Sequence, residues 1–187
     1  MRANVRDAAL RLMGEGTSFS ALTIDEIARA AGITRSAFYF YFGDKQELLV
    51  SAAREVAEDL YRQADRWWHG EDPPEARIHE ALGGVAGVYA RHATLLRAVN
   101  EVAGYDEEIR AFWRALVERF VAATADHLRS ELQAGRVRSL DPEPTAEALV
   151  WMVERCCYVY LTTGDRSPDE LARSLTDTWV AALYGAG

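Results

Sequence analysis

Residues 23–42 read Thr-Ile-Asp-Glu-Ile-Ala-Arg-Ala-Ala-Gly-Ile-Thr-Arg-Ser-Ala-Phe-Tyr-Phe-Tyr-Phe, and this stretch decides the fold of the N-terminal part of the chain. Ala28, Gly32 and Phe38 within it have the four-then-six spacing of a helix-turn-helix. A small Ala28 lets two helices cross closely, Gly32 permits the positive φ of a tight turn, and Phe38 fills the space beneath the second helix. The stretch therefore predicts two short helices joined by a tight turn.

Helix starts and stops are marked along the rest of the chain. Thr23 with Glu26, and Ser167 with Glu170, have the pattern of a capping box, and glycines such as Gly164 mark helix ends. Helical periodicity without interior breakers runs between the five prolines, which predicts an all-α fold of about nine helices. The predicted helices span 2–13, 23–30, 34–41, 44–69, 75–91, 93–102, 106–133, 142–163 and 167–184.

The organisation of the chain changes near residue 45, because the predicted helices are short before it and long after it. This change predicts two domains. Residues 1–45 form a helix-turn-helix head, and residues 46–187 form a larger helical body that begins within the helix 44–69. The second helix of the head, capped by Thr34, is expected to enter the major groove of DNA with its N-terminal end.

Composition excludes several classes of protein. The chain has 187 residues and no apolar run of 18 or more, so a membrane span is not expected, and its N-terminus lacks the pattern of a secretory signal. The two cysteines are adjacent, Cys156 and Cys157, which favours a reducing cytoplasm. The four histidines have no metal-ligand spacing, so neither a metal nor a cofactor is expected.

The net charge of -8 is unevenly distributed. Residues 1–50 hold six basic and six acidic residues, and residues 51–187 hold the remaining 15 basic and 23 acidic ones. The acidic total therefore belongs to the predicted body and does not exclude a nucleic-acid partner for the head. It does predict a marked salt dependence of that binding, because a few phosphate contacts must offset repulsion by the body.

The stretch 31–49, Ala-Gly-Ile-Thr-Arg-Ser-Ala-Phe-Tyr-Phe-Tyr-Phe-Gly-Asp-Lys-Gln-Glu-Leu-Leu, resembles the recognition helix and following helix start of TetR-family transcriptional regulators. The departures are Tyr41, where histidine is common, and Ala37, where threonine is common. Two C-terminal stretches, Ala-Leu-Val-Trp-Met-Val-Glu-Arg (148–155) and Asp-Thr-Trp-Val-Ala-Ala-Leu-Tyr-Gly (177–185), resemble the mycobacterial EthR-like branch of that family.

The resemblance implies a ligand-responsive DNA-binding regulator, most simply a repressor that a small apolar effector releases from a palindromic double-stranded DNA operator. Arg35 is expected to read a guanine, while Tyr39, Tyr41 and Lys45 are expected to contact phosphates. An ordinary solvated role for Arg35, Tyr39 and Tyr41 stays open. The full set of expected DNA contacts is Thr23, Thr34, Arg35, Ser36, Tyr39, Tyr41 and Lys45.

Helices 75–91 and 106–133 carry apolar residues at helical spacing, a pattern that by itself predicts only a packed core. The resemblance implies an effector site between these helices and helix 142–163. Val150 and Val153 depart from the branch, where asparagines stand, and Glu154 either meets the ligand or pairs with a nearby arginine. The implied site comprises Ile78, Leu82, Val85, Tyr89, Trp113, Val117, Phe120, Val150, Val153, Glu154, Cys157, Tyr158 and Trp179.

The last two predicted helices, 142–163 and 167–184, each have two apolar faces and therefore need a partner. The resemblance implies a C2 homodimer through these helices, which holds two recognition helices about 34 Å apart for a palindrome. Two alternatives stay open, a helical enzyme or carrier of an apolar molecule without a DNA role, and a body that binds a protein. No catalytic constellation stands out, so enzymatic activity is not expected.

Overall fold

The computed structural model describes residues 1–70 and 72–185, and these residues contain nine α-helices and no strand. The all-α prediction is confirmed, and each predicted helix is present with ends within two residues of the predicted ones. The helices are α1 (Arg2–Gly14), α2 (Ile24–Ala30), α3 (Arg35–Tyr41), α4 (Lys45–His69), α5 (Pro74–Arg91), α6 (Ala93–Ala103), α7 (Glu107–Gln133), α8 (Pro142–Leu161) and α9 (Pro168–Tyr184).

Both predicted capping boxes are present. At α2 the Thr23 side chain accepts a hydrogen bond from the Glu26 N–H, and the Glu26 carboxylate accepts one from the Thr23 N–H at 2.9 Å. Ser167 and Glu170 repeat this arrangement at α9, where Pro168 occupies the first helical position. These reciprocal bonds satisfy N–H groups that a helix start otherwise leaves open, so the sequence determines both starts locally.

Helix α8 ends at Leu161, two residues before the predicted end. The Thr162 hydroxyl donates to the Tyr158 carbonyl at 2.6 Å, and the Asp165 N–H donates to the Tyr160 carbonyl at 3.0 Å. Gly164 has a φ of 79°, which permits this closing turn. The glycine does mark the stop, but the closing turn occupies the two residues before it.

One compact unit comprises Met1–Val56 and Thr94–Trp113. Helices α1, α2 and α3 contact one another in sequence, and the turn between α2 and α3 is closed by a bond from the Ile33 N–H to the Ala28 carbonyl at 2.9 Å. Gly32 in this turn has a φ of 70°. The buried residues of this unit include Val5, Phe19, Leu22, Ile27, Phe38, Phe42, Leu48, Leu49, Leu96, Val99 and Ile109.

The second compact unit comprises the described residues of Ala57–Ala93 and Arg114–Gly187. Helix α5 packs along α9, and both contact α8. The buried residues of this unit include Leu60, Trp67, Trp68, Ile78, Leu82, Val117, Leu128, Val153, Cys157, Leu175, Trp179 and Leu183.

The predicted domain boundary between residues 45 and 46 stays a prediction. The compact units divide the chain differently, because residues 94–113 group with 1–56. Residues 71, 186 and 187 of the predicted body lie outside the described residues. None of the described helices is long and apolar enough to cross a membrane, and the described residues contain no cluster of His, Cys, Asp and Glu that could hold a metal ion.

Candidate functional site

One face of α3 is open to solvent while the opposite face is buried. Phe38 lies in the core, whereas Arg35 and Ser36 are exposed, Tyr39 is 45% exposed and Phe40 is 81% exposed. Positions 35 and 39, and positions 36 and 40, are four residues apart and therefore share one helix face. The buried phenylalanine fixes the orientation of α3, and the helix presents these four side chains outward.

Arg35 is held beside its helix by exposed contacts. Its guanidinium lies 3.0 Å from the Asp25 carboxylate and donates to the Tyr39 hydroxyl at 3.4 Å. The bond to Tyr39 and the charge of Asp25 raise the pKa of Arg35, so the group stays protonated. Because exposed ion pairs contribute little to stability, Arg35 can exchange Asp25 for another partner at low cost.

The two threonines expected at the DNA surface are both N-caps. The Thr23 hydroxyl bonds with Glu26, and the Thr34 hydroxyl accepts from the Ala37 N–H at 3.1 Å. Both residues are exposed, and each fixes the start of a helix in the motif. Their contacts with phosphates stay a prediction.

Lys45 has a role that sequence reasoning missed. Its ammonium group donates to the carbonyls of Phe19, Ser20 and Leu22 at 3.0, 2.9 and 3.0 Å. It also lies 5.1 Å from the centre of the Phe19 ring. The three N–H donors of the ammonium group therefore fasten the loop before α2 to the start of α4. A phosphate contact by Lys45 stays a prediction, and it would have to replace one of these bonds.

Phe40 is a candidate contact residue that the sequence reasoning left out. It is the most exposed large apolar side chain among the described residues, and its ring meets the half-buried Tyr41 edge-on, with the ring centres 5.2 Å apart. Its place four residues after Ser36 is the signal that could have identified it. Phe40 follows the exposed Tyr39 on α3, and a group of exposed apolar side chains, unlike a single one, marks a contact surface.

The thirteen residues of the expected effector site do not all fall in one compact unit, since Trp113 belongs to the first and the other twelve to the second. Four of them, Trp113, Phe120, Val150 and Tyr158, are half-buried. The other nine are buried: Ile78, Leu82, Val85, Tyr89, Val117, Val153, Glu154, Cys157 and Trp179. Their role in binding an effector stays a prediction.

Three of the buried residues lie near one another across α5 and α8. Burial, together with the nearby carboxylate of Glu154, raises the pKa of Tyr89 well above its usual value. Burial and its charged neighbours likewise raise the pKa of the Cys157 thiol, which is therefore a poor nucleophile. The Glu154 carboxylate lies 3.7 Å from the Arg155 guanidinium, one of the two roles expected for this residue.

Aromatic residues of α4 adjoin two of the expected site residues. The Phe120 ring lies 5.3 Å from that of Tyr61 and 6.2 Å from that of Trp68, while the Trp179 ring lies 5.0 Å from that of Trp67. The sequence reasoning treated α4 only as a connection between head and body. The aromatic cluster at its C-terminal end was the signal that could have included it in the site.

Two family models match the chain. The model described as bacterial regulatory proteins, tetR family, matches residues 5–57, and the one described as transcriptional regulator EthR, C-terminal domain, matches residues 78–185. The first match contains the helix-turn-helix and the Lys45 contacts. The second contains α6 to α9 and most of α5.

Named relatives and a solved structure agree with these matches. The chain is 27% identical over 191 residues to the HTH-type transcriptional regulator EthR of Mycolicibacterium smegmatis, covering 98% of this chain and 86% of that protein. It is 29% identical over 152 residues to the HTH-type transcriptional regulator BetI of Rhizobium meliloti, covering 76% and 67%. The crystal structure of the TetR-family regulator PfmR from Thermus thermophilus superposes with a TM-score of 0.76 at 20% identity, covering 98% of each chain, which supports the fold.

Proposed function

This chain belongs to the TetR family of transcriptional regulators, with an EthR-type C-terminal domain, and we propose that it is a repressor released from a palindromic operator by a small apolar effector. The named relatives are HTH-type transcriptional regulators, and the chain is not an enzyme. The observation that carries the proposal is the exposed face of α3. This face presents Arg35, Ser36, Tyr39 and Phe40 to solvent, while Phe38 on the opposite face is buried.

The side chains of this face suit three kinds of contact. Arg35 leaves Asp25 and donates to the O6 and N7 atoms of a guanine. Ser36, Tyr39 and Tyr41, with the N-cap Thr34 and with Thr23, position the helix through hydroxyl contacts with phosphates. Phe40 packs against the methyl group of a thymine, the apolar feature that the major groove offers.

The proposal is tested by fluorescence anisotropy with a duplex from the upstream region of the gene, at fixed salt, against a scrambled duplex. Replacing Arg35→Ala and Tyr39→Phe together is expected to abolish the preference for the upstream duplex. The matched control is Arg62→Ala with Tyr105→Phe, which changes the same residue types outside α3. Sequence-specific binding that survives the α3 double replacement would show that other residues read the operator.

The thymine contact of Phe40 has its own test. Replacing single thymines of the operator by deoxyuridine removes only the methyl group. Wild-type protein is expected to bind one such substituted operator more weakly, and Phe40→Ala is expected to bind it no more weakly than the unsubstituted one. If both proteins respond equally to every substitution, Phe40 does not contact a thymine methyl.

The proposed effector site is the set of buried apolar residues on α5, α7, α8 and α9, together with Glu154. An effector acts only through different affinities for the DNA-bound and released states. Helices α4 and α7 each contribute residues to both compact units, so each of them connects the unit of the site with the unit that contains the helix-turn-helix.

Apolar compounds that raise the melting temperature of the protein are expected to lower its operator affinity. Val153→Asn is expected to change the rise in melting temperature without changing DNA binding in the absence of the compounds. Compounds that stabilise the protein but leave operator affinity unchanged would contradict the effector role.

The proposed dimer forms through α8 and α9. Val159 is 40% exposed, and Met152 and Cys156 are half-buried on the same stripe of α8, at spacings of four and three residues. On α9, Val180 and Tyr184 are half-buried at a spacing of four. Covering these side chains with a second copy removes apolar surface from water, which favours association.

A further inference from the structure

A cleft outside the expected effector site lies in the second compact unit. Its volume is about 530 Å³, and none of its lining residues is among the thirteen expected effector contacts. The C-terminal parts of α4 and α7, the start of α5 and the residues after α7 form its walls. The residues that matter to its chemistry are Tyr61, Trp68, Arg77, His127, Glu131 and Arg136.

Three residues that line this cleft carry a buried nitrogen atom with no hydrogen-bond partner among the described residues. They are Nε1 of Trp68, Nε of Arg77 and Nε2 of His127. The His127 side chain is only 9% exposed, and its Nε2 lies 3.9 Å from the Glu131 carboxylate, beyond hydrogen-bond distance. Buried polar groups are nearly always paired, so we expect water or a bound ligand to supply partners for these three nitrogen atoms.

Among the arginines that line the cleft, Arg77 forms no ion pair with a described residue, although its charge contributes to lowering the pKa of Glu131. Glu131 is neutralised by Arg136, which donates to it from Nε and from a terminal nitrogen, the latter at 2.7 Å. Arg77, by contrast, donates to the carbonyls of Trp67 and Gly70 at 3.2 and 3.1 Å and forms no ion pair with any described residue. The guanidinium of Arg77 is therefore able to attract an anion.

The remaining nitrogen atoms favour a ligand that accepts hydrogen bonds. The indole of Trp68 and the Nε of Arg77 are obligate donors, and burial lowers the pKa of His127, so its neutral ring can donate from Nε2 in one tautomer. The two carboxylates that line the cleft are already ion-paired, Asp126 with Arg129 and Glu131 with Arg136, so a cationic ligand would have to displace an arginine. The Tyr61 and Trp68 rings, with centres 4.9 Å apart, supply an apolar surface beside these donors.

We propose that this cleft binds a small carboxylic acid, with its carboxylate on Trp68, Arg77 and His127 and its apolar body against Tyr61 and Trp68. The ligand class follows from three features of the cleft: the Arg77 guanidinium, which forms no ion pair with a described residue, the two further ring nitrogen atoms of Trp68 and His127, and the neighbouring aromatic rings. Because the three nitrogen atoms are buried, the lining side chains must rotate for the carboxylate to reach them. The cleft shares no lining residue with the expected apolar effector site, although its Tyr61 and Trp68 rings adjoin Phe120 of that site, and it does not depend on the DNA-binding role.

The test uses the full chain without DNA. Benzoate and 2-naphthoate are titrated by calorimetry and by thermal shift, and each is compared with its carboxamide, which has the same body without the charge. We expect saturable binding of at least one carboxylate, at least about tenfold tighter than its carboxamide, since hydrogen bonds to charged groups are the stronger ones. No preference of either pair for the carboxylate would overturn the proposal.

Two replacements locate the binding. Trp68→Phe keeps the aromatic ring and removes its N–H, and it is expected to weaken carboxylate binding about tenfold while leaving the unliganded fold intact. Trp151→Phe is the control, because it makes the same replacement at a half-buried tryptophan that neither lines the cleft nor belongs to the expected effector site. Equal effects of the two replacements, or none from Trp68→Phe, would refute the assignment. Operator binding is measured separately, so a failure there leaves this result unaffected.

Discussion

At the scale of single residues, the most informative contact in the head is the ion pair between Arg35 and Asp25. It joins the exposed face of α3 to the first turn of α2, with 59% and 54% of the two side chains exposed. Such a pair adds little stability, but it restricts a long side chain that otherwise loses considerable conformational freedom on binding. Asp25 is thus both a support for Arg35 in the free protein and a competitor of DNA for it.

Replacing Arg35 and replacing Asp25 are expected to change operator affinity in opposite directions. Arg35→Ala removes a base contact and should weaken specific binding by about 1–3 kcal/mol. Asp25→Asn removes the competitor and a negative charge, and should strengthen binding about two- to fivefold. Anisotropy titrations of both single variants and the double variant form a double-mutant cycle. If Asp25→Asn strengthens binding equally in the Arg35→Ala background, the carboxylate acts only as a general charge and not through Arg35.

Lys45 allows a second prediction. Since its ammonium group holds three backbone carbonyls of the loop before α2, Lys45→Met is expected to lower the free energy of unfolding by about 2 kcal/mol. Urea denaturation measures this loss. Lys45→Arg is the matched variant, because it retains the charge but not the compact geometry of the ammonium group.

The salt dependence of operator binding separates the two roles of Lys45. If this residue also contacts a phosphate, Lys45→Met reduces the slope of log affinity against log salt by about one. If it only fastens the loop, the slope stays unchanged and the loss appears in stability alone. A variant of unchanged stability would contradict the hydrogen bonds described for the loop.

At the scale of elements, sequence periodicity and capping patterns were sufficient to predict the nine helices of the described residues, because helix starts such as Thr23 and Ser167 depend on residues three positions away. Lys45 shows where such reasoning ends. Its partners lie 23 to 26 residues earlier in the chain, and nothing in the local pattern specifies a contact at that separation. The cleft beside Arg77 and His127 could not be predicted from the sequence for the same reason, because its unpaired donors come together only after four separate segments have packed.

The stripe on α8 supports a prediction at this scale. Val159→Glu places a charge in the proposed dimer interface, and burying an unpaired charge costs about 3 kcal/mol or more. The dimer dissociation constant should therefore rise at least about a hundredfold, with operator affinity falling as well. Sedimentation velocity measures the association, and Ala115→Glu is the control, because it adds the same charge at an exposed position of α7. Equal association of the two variants would exclude α8 from the interface.

At the scale of the whole molecule, the distribution of charge allows direct phosphate contacts to be distinguished from long-range repulsion of DNA by the acidic body. The first 50 residues have no net charge, and the rest of the chain carries the entire -8. The screening length is about 8 Å at physiological salt and about 30 Å at 0.01 M. The acidic body therefore acts on approaching DNA chiefly at low salt, whereas direct phosphate contacts determine the salt dependence at all concentrations.

A plot of log operator affinity against log salt is therefore expected to be linear above about 0.1 M and to bend toward weaker binding, relative to the extrapolated line, below about 0.03 M. Glu75→Gln with Glu147→Gln removes two exposed body charges that form no ion pair with described residues. This pair should reduce the bend and leave the slope above 0.1 M unchanged, because no phosphate contact is altered. A changed slope at high salt would mean that these glutamates lie beside the bound DNA, and an unchanged bend would mean that body charge does not oppose binding.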